Sequence, residues 1–304
     1  MPQFVLLRIL LLFTLLPFSA SAHNKIKVVT SFSILADLVK NVGGNHISII
    51  TLIGPNANMH TYEAIPHDAQ ALKNADIIFI NGLHLEGFMN RLITASDTKA
   101  LIVEVSANVP PLTIKNQRHG IEHYHHQNEI DPHAWQTIPN TKIYIKNITT
   151  ALCKVDQKSC IIYKNNANAY TQKLNKMQKI ISEKISTIPK DRRIIIMSHN
   201  SFNYFAQEYG FTVLAPQGAS TETEATAADV AKLIQQIKTN KAAALFVENI
   251  SKPHLIKQIS KETGLKIGGT LYSDALSNEN GPAATYLDMM KHNVTTIIDA
   301  IVKH

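Results

Sequence analysis

Twice along the chain, runs rich in Val and Ile alternate with stretches of helical periodicity, and no other feature limits the fold as much. A strand buried on both faces of a parallel sheet reads as an unbroken apolar run, and the crossover that returns the chain to the same end of the sheet is normally a helix. In the first half, Lys27 to Ser31, Ile47 to Ile53, Ile77 to Ile80 and Leu101 to Val105 read as strands, with a helix from Ile34 that Gly43-Gly44 ends. In the second half, Arg193 to Met197, Phe211 to Leu214, Ala242 to Val247 and Lys266 to Leu271 repeat the pattern. Between the halves the period is helical from Thr141 onward. One amphipathic piece carries Ile143, Ile145, Ile148 and Leu152, a turn follows at Asp156, and a second piece begins near Cys160. That second piece places Tyr170, Leu174, Met177, Ile181 and Ile185 three and four residues apart until Pro189 stops it. The expectation is an α/β chain of two halves with a long helix between them and no fixed-period repeat.

The first two dozen residues do not belong to this pattern. Met1 to Arg8 is short and basic, Ile9 to Phe18 is apolar, and Ala20-Ser21-Ala22 is a small-residue cleavage site, so residues 1–22 read as a secretory signal. The apolar run is about half of what a bilayer span needs. No cysteine directly follows it, so the expectation is a chain free in the periplasm, without a lipid anchor. Without Arg8, 29 basic residues stand against 23 acidic ones, a net charge of +6 with His neutral. The excess is scattered, with no Lys/Arg block and no aromatic-basic interleaving, which argues against nucleic acid as a partner. In an exported chain Cys153 and Cys160 are either one disulfide or two free thiols; their spacing, with no second pair, does not suit a metal.

Chemistry concentrates in the segment from His119 to Trp135. It holds His119, His123, His125, His126 and His133 with no apolar period to place them on a helix or strand. A solvated polar loop is one reading of His119 to His126 and an auxiliary metal-collecting site the other. His133 stands apart, fixed between Asp131-Pro132 and an apolar Ala134-Trp135. Three further residues fall at or just beyond the carboxyl ends of strands: His60, His199 and Asp274. That edge is where open α/β sheets bind ligands, and two such edges facing each other could gather three imidazoles and a carboxylate, a donor set that Zn²⁺ accepts. Spacing leaves alternatives open. Asp274 could cap a helix starting at Ala275, and Glu248 could be the fourth ligand instead. Glu63 reads as the opening of a helix, and Glu222 and Glu224 as the start of the one leading to Val230.

The segments Gly54-Pro55 with Met59-His60-Thr61-Tyr62-Glu63, Asp131-Pro132-His133-Ala134-Trp135, Ser198-His199-Asn200-Ser201-Phe202-Asn203-Tyr204-Phe205 and Gly268-Gly269-Thr270-Leu271-Tyr272-Ser273-Asp274-Ala275-Leu276 resemble the four ligand motifs of the zinc and manganese solute-binding proteins of ABC transporters. Val247-Glu248-Asn249 fits as well, and the match runs in order over essentially the whole mature chain. The resemblance implies two lobes of four-stranded parallel sheet with flanking helices, joined by one long rigid helix from about Asn165 to Ile188. The corresponding divisions are 23–164, 165–189 and 190–304. It also implies that His60, His133, His199 and Asp274 are the metal ligands. At the third position, members of manganese type tend to carry Glu where this chain has His199, and an added nitrogen favours zinc over a harder ion. Asp274 is often missing from the zinc specialists, which keeps manganese and iron in view.

The implied activity is that of a monomeric periplasmic receptor, not an enzyme, that takes Zn²⁺ to a membrane permease. No Gly-x-x-x-x-Gly-Lys-Ser/Thr loop is present, so a partner ATPase would supply the energy. A zinc hydrolase would need an open water position and a base, for which Glu248 or Glu63 would be candidates. A surface adhesin using metal only for stability is a third reading. Ligating imidazoles must be unprotonated, so affinity is expected to fall as pH drops through about 6.5. A rigid connecting helix points to release by small loop shifts, with Gly268-Gly269 a permissive place.

Overall fold

Each half of the chain folds as a parallel four-stranded sheet flanked by helices, seen in a computed structural model that describes residues 24–114, 129–240 and 244–302. The leader 1–22 and His119, His123, His125 and His126 lie outside the described residues. In the first lobe, β1 (Ile26–Phe32), α1 (Ser33–Gly43), β2 (Ile47–Ile53), α2 (Pro66–Lys73), β3 (Ile77–Ile80), α3 (Met89–Ser96) and β4 (Leu101–Glu104) follow one another. The sheet order is β2-β1-β3-β4, with Val28 opposite both Ile49 and Ile77. The central β3, Ile-Ile-Phe-Ile, is buried along its whole length, as its unbroken apolar run requires. A short antiparallel pair, β5 (Thr113–Ile114) and β6 (Glu129–Ile130), then leads towards His133.

Two helices lead from the first sheet to the second. α4 (Ile138–Val155) starts from Thr137, whose side chain accepts a hydrogen bond from the Asn140 amide, and α5 (Cys160–Ser186) runs 27 residues, about 40 Å at the α-helical rise. α5 buries Tyr163, Ala167, Tyr170, Leu174, Ile181 and Ile185 along one stripe and packs on α1 and α4. Its carboxyl end would leave carbonyls without partners. The Arg193 guanidinium takes them up, donating to Ile185 O (3.1 Å) and Ile188 O (3.0 Å), and to Tyr209 O (3.0 Å) at the end of the next helix.

The second lobe comprises β7 (Ile194–Ile196), α6 (Asn203–Tyr209), β8 (Thr212–Leu214), α7 (Ala227–Asn240), β9 (Ala244–Glu248), α8 (His254–Thr263), β10 (Ile267–Leu271) and α9 (Tyr286–Val302), with sheet order β10-β9-β7-β8. α9 also packs on α5. Each sheet changes its direction of growth once, between β1 and β3 and between β7 and β9, and a crevice opens at such a point. The main apolar core is continuous from Val28 in the first sheet to Ile301 in the last helix, so the lobes share one interior. A smaller core of Ile196, Val230, Leu233, Ile237, Leu245, Ile256 and Ile259 lies between the second sheet and α7 and α8.

All eight strands read from the sequence form, with ends shifted by two residues or fewer. Several local expectations fail. No helix starts at Ala275, so Asp274 is not a cap. Glu63 precedes a helix that begins only at Pro66, where Asp68 accepts the Ile65 amide (2.8 Å). Glu222 and Glu224 lie in a loop, and α7 is opened by Thr226 and Asp229, which bond each other. Gly268 and Gly269 are not a loose joint. They sit inside β10 with α9 across them, and a Cβ on Gly268 would lie 2.4 Å from Ala300 Cβ, so glycine serves close packing there.

Cys153 and Cys160 are bonded across the α4–α5 turn. Inside that turn Asp156 accepts both the Tyr163 hydroxyl (2.8 Å) and the Ser159 amide (3.3 Å). Closing a loop this short is expected to contribute about 2 kcal/mol through the unfolded chain. Urea unfolding of the Cys153→Ser, Cys160→Ser double variant should show that loss with the fold retained; an unchanged midpoint would remove the stapling role.

Candidate metal centre

The loop after β2 turns back on itself at Asn58, whose side-chain oxygen accepts the His60 amide at 3.0 Å, and delivers His60 to the carboxyl edge of the first sheet. His133 follows β6. Asp131 Oδ1 accepts the His133 backbone amide (2.9 Å) and lies 2.7 Å from ring Nδ1, so one carboxylate fixes both the main chain and the ring. The intervening Pro132 carbonyl is held by the Asn81 side chain (3.0 Å), itself bonded by the Tyr144 hydroxyl (2.5 Å). Buried Glu86 in turn accepts the Asn81 amide (2.6 Å), the Gly82 amide (3.2 Å) and the Ser31 hydroxyl (2.7 Å) in the crevice between β1 and β3.

Glu248 does the corresponding job in the second lobe. At the end of β9 it accepts the amides of Ser198 and His199 (both 3.1 Å) and the hydroxyls of Ser198 and Ser201, while Oε2 lies 2.7 Å from His199 Nδ1. Asp274 follows β10 and is placed from the other lobe: the Trp135 indole (2.9 Å) and the Gln136 amide (2.7 Å) both donate to the neighbouring Ser273 carbonyl. With their Nδ1 sides facing carboxylates, His133 and His199 turn Nε2 toward a common point, as imidazoles at metal sites characteristically do.

The four candidates converge. One donor atom from each of His60, His133, His199 and Asp274 lies within 4.8 Å of the others. His60 Nε2 and His199 Nε2 are 3.1 and 3.2 Å from Asp274 Oδ2, and His133 Nε2 is 3.5 Å from Oδ1. A tetrahedral shell with bonds of about 2.1 Å spaces its donors about 3.4 Å apart, so these separations suit a single ion. The chemistry of the atoms agrees. His133 Nε2, His199 Nε2 and Asp274 Oδ1 are buried and make no hydrogen bond among the described residues, which costs about 1–3 kcal/mol per group unless a cation takes them up.

Electrostatics couple the four. Burial would raise Asp274, but His133 and His199 outweigh it and hold the carboxyl well below the usual carboxylate range. Burial lowers His60 more than Asp274 raises it. Burial would likewise lower His199, yet Glu248 and Asp274 on either side push that ring up to about 10. Glu248 and Asp274 thus flank His199 with an excess of negative charge that a divalent ion would balance.

Glu248 is not in the cluster: it backs His199 and is not an alternative fourth donor. Glu63 is exposed and also outside it. Sequence reasoning passed over Asp131, although an Asp two residues ahead of a candidate His is the signal for such support.

Comparisons with known proteins find metal-binding relatives over nearly the whole chain. The family profile described as zinc-uptake complex component A, periplasmic, matches residues 28–300. The manganese-binding lipoprotein MntA of Halalkalibacterium halodurans is 33% identical over 91% of this chain and 88% of its own. The iron-binding protein YfeA of Yersinia pestis is also 33% identical, over 96% and 95%. The solved structure of the periplasmic zinc-binding protein TroA of Treponema pallidum superposes with a TM-score of 0.83 at 32% identity, covering 91% of this chain and 99% of that one.

In the metal-free protein the His199 ring should stay protonated well above neutrality, read from its NMR shifts, and Glu248→Gln should lower its titration point. A His199 that titrates near 6.5 in the unaltered protein would contradict the two-carboxylate arrangement.

Proposed function

Since the chain belongs to the family of periplasmic zinc-uptake complex component A proteins, we propose that it captures one Zn²⁺ ion between its lobes and hands it to an ABC permease driven by a partner ATPase. The observation that carries this reading is the convergence of four buried donors, two from each lobe, with ring nitrogens and a carboxylate oxygen left without hydrogen bonds. In this reading His60, His133, His199 and Asp274 are the ligands. Asp131 and Glu248 hold two of the rings in place and make them better donors.

Three nitrogens and one oxygen favour zinc over manganese. Manganese or iron is the second reading, supported by the Asp274 carboxylate and by relatives named for those metals. Four protein donors complete a tetrahedral shell, and Glu248 faces His199 Nδ1, not the centre, which favours a receptor over a hydrolase. The lobes are taken as 23–164 and 190–304 with the connection at 165–189. The protein acts as a monomer outside the cytoplasm after removal of residues 1–22, unanchored by lipid; export without an anchor is the part that Ala20-Ser21-Ala22 with no cysteine directly after it supports. His119, His123, His125 and His126 serve as a weak collecting site, a role that rests on their sequence alone.

Binding exchanges a proton for a metal ion. Because His199 is protonated in the free site up to about 10, each ion bound near neutral pH should release about one proton, and affinity should rise about tenfold per pH unit. The fall expected from an unperturbed ring below about 6.5 therefore starts well above neutrality. Native mass spectrometry of stripped protein offered Zn²⁺, Mn²⁺ and Fe²⁺ together should show one zinc per chain. Loss of affinity in His60→Ala and His133→Ala should exceed the roughly 10- to 100-fold that supporting residues cost. Selective manganese loading would move the assignment to the second reading, and a chain that takes up no metal would end the receptor reading.

A further inference from the structure

His60 differs from the other three donors in how it is held. His133, His199 and Asp274 are 0% exposed, whereas His60 is 9% exposed and marks the solvent side of the centre. Buried carboxylates fix His133 and His199. The chain carrying His60 is instead held by Met59, buried in the core just before it, and by a neutral side-chain amide, that of half-buried Asn58, which accepts the His60 backbone amide at 3.0 Å.

That amide also reaches across to the second lobe. Asn58 Nδ2 lies 2.9 Å and Oδ1 3.2 Å from the Thr221 hydroxyl, which can accept from the first or donate to the second. Thr221 belongs to the loop after β8, and this loop is sewn to the His199 segment on both sides: Gln217 N donates to Ser198 O (3.2 Å) and Asn200 N to Gly218 O (2.9 Å). A second stitch ties the His60 loop to the Asp274 segment, directly through Asn56 N to Leu276 O (2.9 Å) and by way of Asn249 Nδ2, which reaches both Asn56 Oδ1 and Ala275 O (3.1 Å each). The outermost donor is thus yoked to His199 and Asp274 by asparagines.

We infer that the Asn58–Thr221 contact is the latch of the metal's exit path, holding His60 over the centre and setting the rate at which the ion leaves; this rests on the receptor reading above. Neutral hydrogen bonds half open to water give way before carboxylate contacts in a dry interior, so this point opens first. Asn58 and Thr221 act through His60 as positioning residues and touch no metal themselves.

The test is stopped-flow release of Zn²⁺ from the loaded full-length mature protein into excess chelator. Asn58→Ala and Thr221→Val should each speed release about fivefold, the factor that a hydrogen bond of about 1 kcal/mol supplies. The double variant should be no faster than the faster single one, because one contact is being removed twice. Thr221→Ser, which keeps the hydroxyl, should stay slow, and the thermal unfolding midpoint of the metal-free variants should fall by no more than the few degrees that one or two such bonds supply. Unaltered release in both single variants, or accelerations that multiply in the double, would overturn the latch while leaving the receptor in place. An unaltered protein that loads no Zn²⁺ would overturn both.

Discussion

A carboxylate buried among imidazoles from both lobes is the constraint on which the remaining architecture depends. Asp274 has no exposure, and its charge survives only because rings from three separate segments surround it. An isolated anion in such a place would take up a proton or draw in water. The supporting pairs follow from that requirement. Asp131 behind His133 and Glu248 behind His199 leave each ring one nitrogen to offer to the centre. Burial would raise that second carboxylate, Glu248, and Asp274 adds to this, but the neighbouring His199 first and the Ser198 hydroxyl after it outweigh burial and lower it.

The shared interior explains why so much must be settled by short segments at the crevice. One continuous apolar core runs through both sheets, and α5 is packed on α1 of one lobe and α9 of the other. Swinging the lobes apart would tear that core, at a cost far above the strength of a few hydrogen bonds. Movement is left to loops that lie outside it. The Trp135 and Gln136 bonds to Ser273, and the Tyr286 hydroxyl bonded to Trp135 O (2.8 Å), belong to the immobile part. The Asn56 and Asn58 contacts lie nearer to solvent.

Much of this was legible in the sequence because parallel sheets announce themselves by apolar runs, and the functional edge of a parallel sheet is known once its strands are. That rule offered His60, His199 and Asp274 as candidates beside Glu248, and the resemblance to the metal receptors chose among them. What could not be read was direction. A glutamate ending β9 looks the same in sequence whether it faces a metal or the back of a histidine, and only the fold shows that Glu248 does the latter. Gly268-Gly269 misled for a related reason: glycine marks either freedom or close approach, and α9, whose stripe of Met289, Met290, Val294, Ile297 and Ile301 was present to be read, makes it close approach. Asn58 carried no signal, since its role depends on a threonine 163 positions away.

That long separation has a consequence for how the molecule comes into being. His60 and Asp274 are 214 residues apart, and the strand preceding Asp274 is the last in the chain to join its sheet. A polypeptide emerging amino end first has no complete set of donors until that final strand has docked, so the ion cannot template the early lobe. Copies cut short before residue 274 carry three imidazoles without the carboxylate that joins them in the whole chain.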